Sequence, residues 1–95
     1  MSDIIWGNGN QILSNDSFEI SVTHRKDGNK DNYSDVEKIR ITEADVPGLP
    51  QNVAERTEEV MKSCLIDAFL KCEIISRDDS GVLSSKVSHS GVGGY

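Results

Sequence analysis

The run Phe18-Glu19-Ile20-Ser21-Val22-Thr23-His24-Arg25 alternates without a break, the period of a strand that buries one face and wets the other. Phe18, Ile20, Val22 and His24 are expected on the inward face, and Glu19, Ser21, Thr23 and Arg25 on the outward one. A half-buried strand needs a partner. Ile39 and Ile41, flanked by Lys38, Arg40 and Thr42, supply a second strand of the same pattern. The polar loop 26–35 between them predicts an antiparallel pair.

Around this pair the sequence predicts two hairpins and one helix. In Ile4-Ile5-Trp6-Gly7-Asn8-Gly9-Asn10-Gln11-Ile12-Leu13, Asn8-Gly9 lies between apolar pairs and reads as a two-residue hairpin turn, because both positions tolerate positive φ. Pro47-Gly48-Leu49-Pro50 ends the central strand. Asn52 with Glu55 then resembles a capping box. Glu58 and Glu59 add negative charge where a helix dipole favours it. Val53, Thr57, Val60, Met61, Cys64, Ala68 and Cys72 fall on one helical face and are expected to form its core stripe. Residues 73–77 and 82–88 flank Asp78-Asp79-Ser80-Gly81 and read as a C-terminal hairpin, with extension of the helix to Ile75 as the alternative. The expected fold class is α+β: an antiparallel meander of three to four strands packed on one helix, with a C-terminal β-hairpin. Residues 1–88 form its single domain and residues 89–95 a flexible Gly/Ser-rich tail.

A chain of 95 residues leaves room for one core. Its 10 Lys and Arg against 16 Asp and Glu give a formal charge of −6, opposite in sign to what phosphate-backbone binding requires, so direct nucleic-acid binding is not expected. No apolar run is long enough for a helical membrane span, and the N-terminal residues lack a basic region followed by an apolar one. A cytoplasmic location is expected. On one continuous helix Cys64 and Cys72 would lie about 12 Å apart, too far for a disulfide, and they read as buried free thiols.

Catalytic groups are scarce. His24 is assigned to the inward face of a strand or to its end and His89 to the tail, while Cys64 lies on the core stripe, so no nucleophile has a base positioned beside it. The chain reads as a non-enzyme with no cofactor. Asp27, Asn29, Asp31, Tyr33 and Asp35 occur at every second position, as ligands do in a calcium loop. The match fails at Asn32, where such a loop needs Gly, and at Lys38, where it needs a bidentate Glu. A solvated turn rich in Asp and Asn is the expectation there.

Two surface patterns point to a partner. Ile66, Phe69 and Leu70 lie opposite the helix core stripe and need cover, from the C-terminal hairpin or from another chain, unless the chain leaves helical geometry before Phe69. Residues 43–73 carry seven acids and three bases. Glu55, Glu58 and Glu59 at the helix start read as a solvated face with a favourable dipole or, functionally, as a surface that docks on a basic groove of another protein. The resulting expectation is a small acidic binding protein that occupies a surface of another macromolecule and self-associates into a homo-oligomer. An inhibitor of a nucleic-acid-handling host complex, of viral or mobile-element origin, is its specific form. The alternative is a structural subunit of a larger oligomeric or virion assembly.

Overall fold

The computed structural model describes residues 2–90. Its strands are β1 (Asp3–Ile12), β2 (Ser17–Arg25), β3 (Val36–Asp45), β4 (Phe69–Arg77) and β5 (Leu83–His89), with one helix, α1 (Glu58–Leu65), between β3 and β4. The strands close into a barrel in the order β1-β2-β3-β5-β4, and β4 returns to pair with β1. All neighbours are antiparallel except β3 and β5. That parallel pair requires the chain to cross back between them, which α1 and β4 accomplish. This closed barrel replaces the expected meander on one helix, and the fold is mostly strand rather than α+β.

Two local features account for the difference. The Asn8-Gly9 pair does not turn the chain: β1 continues through it and hydrogen-bonds to β2 on one side and β4 on the other. The glycines serve close approach instead. A Cβ on Gly7 would lie 2.0 Å from the Ser21 carbonyl oxygen, and one on Gly9 would lie 1.9 Å from that of Leu65. Register shifts beside both glycines bend β1 around the barrel.

The second feature is the end of the helix. Ile66 is extended and Asp67 takes a φ of 62°, so α1 stops at Leu65 and the chain re-enters the sheet. From Phe69 on, alternate residues point inward: Leu70, Cys72 and Ile74 are buried. Cys64 and Cys72 therefore belong to different elements, one half-buried on α1 and the other sealed in β4, and both are free. The expected single helix start is also divided. Asn52 caps a 3-10 turn (Val53–Glu55) by accepting from Ala54 N, and Thr57 caps α1 by accepting from Val60 N.

The barrel interior is filled by Ile5, Phe18, Ile20, Ile39, Leu70 and Leu83, to which α1 adds Met61 and Leu65. β2 and β3 pair as Phe18↔Ile39, across the loop read from the sequence. β4 and β5 form an antiparallel pair around the 78–82 turn. His24 departs from its assigned face: a register shift opposite Trp6/Gly7 turns it outward beside Trp6, where it is exposed. Of the segment read as a tail, His89 ends β5 and Ser90 N donates to Phe69 O at 2.9 Å. Residues 91–95 lie outside the described part.

Candidate docking surface

The segment from the 3-10 turn to the end of α1 concentrates negative charge at the surface because its positive charges are used locally. Arg56 is buried. Its guanidinium donates to the carbonyl oxygens of Pro50 at 2.7 Å, Asn15 at 3.2 Å and Gln51 at 3.2 Å, which pins the β3–α1 connection onto the β1–β2 turn. Lys62 pairs with Glu58 at 2.9 Å, one helical turn away. Glu55, Glu59 and Asp67 are exposed, and no ion pair offsets them among the described residues. At the α1 N-terminus, Glu58 and Glu59 also complement the exposed N–H groups of the first turn.

Beside this segment a groove of about 670 Å³ runs between α1 and the C-terminal half of β1. Half-buried Ile12 and Ile66 provide its apolar part, and Asn10, Gln11, Ser63 and Asp67 its polar rim, next to the Glu58–Lys62 pair. Gly9 sets the spacing of its walls. Asp67 N donates to Gly9 O at 3.0 Å, and Gly9 N donates to Ala68 O at 3.2 Å, an approach that a side chain at position 9 would block.

The structure separates the three apolar residues expected to share one exposed face. Ile66 caps α1 and enters the groove. Phe69 lies half-buried on the outside of β4, where its ring and that of His24 stand nearly perpendicular with centroids 5.8 Å apart. Leu70 is wholly buried in the barrel core and cannot reach a partner. Strand geometry causes this, since adjacent residues point to opposite faces.

The loop between β2 and β3 spends its polar groups on the barrel. The Asn29 amide donates to Ile4 O at 2.9 Å and accepts from Ile4 N at 3.0 Å. Asp31 pairs with Arg77 at 3.2 Å and Asp35 with Arg25 at 3.0 Å. No group of three or more His, Cys, Asp or Glu side chains is placed to hold a metal ion among the described residues, so Asp27, Asp31 and Asp35 do not form one. The organising group here is Asp3, which sequence reasoning did not single out. Its carboxylate accepts from Lys30 N at 2.9 Å, Asp31 N at 3.0 Å and the Tyr33 hydroxyl at 2.7 Å. The Lys30 amide, with Tyr33 and Asp31, holds the Asp3 carboxyl below its ordinary value, whereas burial and the Asp3 contact push the Tyr33 phenol up. Nothing in the local sequence of Asp3 reveals this, because its partners lie 27 to 30 positions away.

In some small five-stranded barrels the outward face of strands 2 and 3 holds oligonucleotides or oligosaccharides. Here that face carries Glu19 opposite Lys38, Ser17 opposite Arg40 and Ser21 opposite Val36. Among its described residues the ring at this face is the His24 imidazole near the end of β2, packed against Phe69 of β4. Trp6 on β1 lies next to it, between His24 and Lys71. No family model, curated protein or solved structure matches the chain. No helix among the described residues is long and apolar enough to cross a membrane.

Proposed function

We propose that this protein is a non-catalytic binding module that occupies a basic surface of another protein with the acidic edge formed by Glu55, Glu58, Glu59 and Asp67. The observation that carries this reading is the fate of the two bases in that segment. Arg56 is turned inward onto backbone carbonyls and Lys62 is committed to Glu58, so the edge presents uncompensated negative charge to a partner. Such an edge favours basic partners and repels acidic ones, nucleic acid included. The filled barrel interior and the sealed Cys72, whose thiol burial pushes up to about 12, support a binding role over a catalytic one. An inhibitor of a nucleic-acid-handling complex is the specific form of this reading, since carboxylates spaced along an edge compete for sites that bind phosphates.

The test is retention from an extract of the native host on immobilised protein, run in parallel with a Glu55→Gln, Glu58→Gln, Glu59→Gln triple variant. A protein with a basic surface should be held by the parent and lost by the variant. Equal retention of every bound protein by both would exclude the acidic edge as the docking surface.

A further inference from the structure

We propose that the groove between β1 and α1 seats an arginine side chain of the partner, with its methylene stem on Ile12 and Ile66 and its guanidinium on the Asp67 carboxylate. This rests on the reading of a basic protein partner and names the group that it inserts.

Three features of the groove select this occupant. First, Ile12 and Ile66 leave apolar surface half-exposed along the groove, which suits the aliphatic stem of a long basic side chain rather than a compact ion. Second, the charge is unbalanced in one place. Glu58 is offset by Lys62 at 2.9 Å, whereas Asp67 has no hydrogen bond or ion pair to its carboxylate among the described residues, leaving one negative charge at the rim. Third, neutral acceptors stand nearby. The Asn10 amide nitrogen is committed to Glu19 at 2.7 Å, so its carbonyl oxygen remains as an acceptor, and Gln11 adds another amide. A carboxylate with amide oxygens beside it matches the planar fork of a guanidinium, which directs five N–H donors; the three donors of an ammonium radiate from one point.

Asp67 is also held in place. Its φ of 62° is fixed by its N–H on Gly9 O and by Ala68 N on Leu65 O at 3.2 Å, so the backbone that carries the carboxylate is set before a partner arrives. Aspartate and asparagine both tolerate this left-handed geometry. Asp67→Asn therefore removes the charge while keeping the backbone.

The experiment is an amide NMR titration of the whole protein with N-acetyl-arginine methylamide, and with the citrulline analogue, which has the same shape without the charge. The arginine probe should bind with a dissociation constant on the order of millimolar, as expected for one exposed ion pair with modest apolar contact. It should shift the amides of Gly9, Asn10, Ser63, Ile66 and Asp67. Citrulline should leave them in place, and Asp67→Asn should weaken the arginine response about fivefold with an unchanged melting temperature. Asp67→Gly, which relieves any strain at this φ, should weaken it equally. Shifts of equal size with citrulline, shifts centred on Glu55 and Glu59, or a response unaltered in both variants would each overturn the groove assignment. If an intact basic partner still depends on Glu58 and Glu59 but not on Asp67, the arginine seat fails while the acidic-edge reading stands.

Discussion

Gly9 and Leu65 meet backbone to backbone: the Leu65 carbonyl oxygen occupies the space where a Cβ on Gly9 would stand, 1.9 Å away. The end of α1 is thereby laid against the middle of β1, and the same contact shapes one wall of the groove. Replacing Gly9 by Ala must push the two backbones apart, which strains the Asp67 N to Gly9 O bond. Gly9→Ala should destabilise the fold by about 2–4 kcal/mol in urea unfolding, at the upper end of overpacking effects because backbone rather than a side chain must move. Asn8→Ala, one residue away and exposed, should change stability by less than about 0.5 kcal/mol.

Phe69 and Leu70 provide a direct measure of strand against helix in this part of the chain. Leu70 is 0% exposed, so Leu70→Ala should cost about 2–5 kcal/mol through lost burial and the cavity left behind. Phe69→Ala on the outer face should cost less than Leu70→Ala. Chemical denaturation of both variants checks the order, and equal losses would place both side chains at the same depth.

The difficulty of reading this region lies in residues 64–75. Cys64, Ala68 and Cys72 satisfy a helical period while Leu70, Cys72 and Ile74 satisfy a strand period. The decision rests on Asp67, whose positive φ ends the helix although Asp carries no strong stop signal in sequence. Residues 18–25, by contrast, fit one period only, and both their strand and its pairing with β3 were legible. For Gly7 and Gly9, local turn chemistry and close packing across strands call for the same residue, and the latter applies here. Of the candidate site, Glu55, Glu58, Glu59 and Ile66 were legible as surface groups. The inward turn of Arg56 and the arrival of Asn10 and Ile12 beside α1 depend on contacts far apart in sequence.

Cysteine reactivity should follow the division of the two thiols between elements. Burial pushes the Cys72 thiol up to about 12, which leaves almost no thiolate near neutral pH. Native protein at pH 8 should therefore react with an aromatic disulfide reagent only at half-buried Cys64, and both cysteines should react in denaturant. Modification of Cys72 without prior unfolding would contradict its place in the core.

Asp3 sets an acid limit on the loop between β2 and β3. Hydrogen bonds from the Lys30 amide, Tyr33 and the Asp31 amide lower its pKa from the ordinary 3.8. A carboxylate whose folded value is depressed contributes stability above the unfolded value and loses it as pH falls through the folded one. The stability gap between parent and Asp3→Asn should therefore be constant above about pH 5 and shrink below about pH 4. Urea unfolding across this range measures it. A gap independent of pH would mean that the Asp3 charge does not support the loop.

Glu58 and Glu59 separate a docking edge from a merely solvated helix start. Both sit in the first turn of α1, capped by Thr57 rather than by either glutamate. Converting both to Gln leaves the cap intact and costs about 0.3–1 kcal/mol per residue in dipole interaction, and the loss of the exposed Glu58–Lys62 pair adds about 0.5 kcal/mol or less. The double variant should fold with a slightly lower melting temperature. Its association with a basic partner should slow markedly at low salt, because charge steering acts over a Debye length that is about 30 Å at 0.01 M and about 8 Å at 0.15 M. Dissociation should change less than association if the edge steers without being fully desolvated. Stopped-flow or surface-binding kinetics at these two ionic strengths distinguish the cases. A parent and variant that associate at the same rate in 0.01 M salt would leave the two glutamates with only their role at the helix terminus.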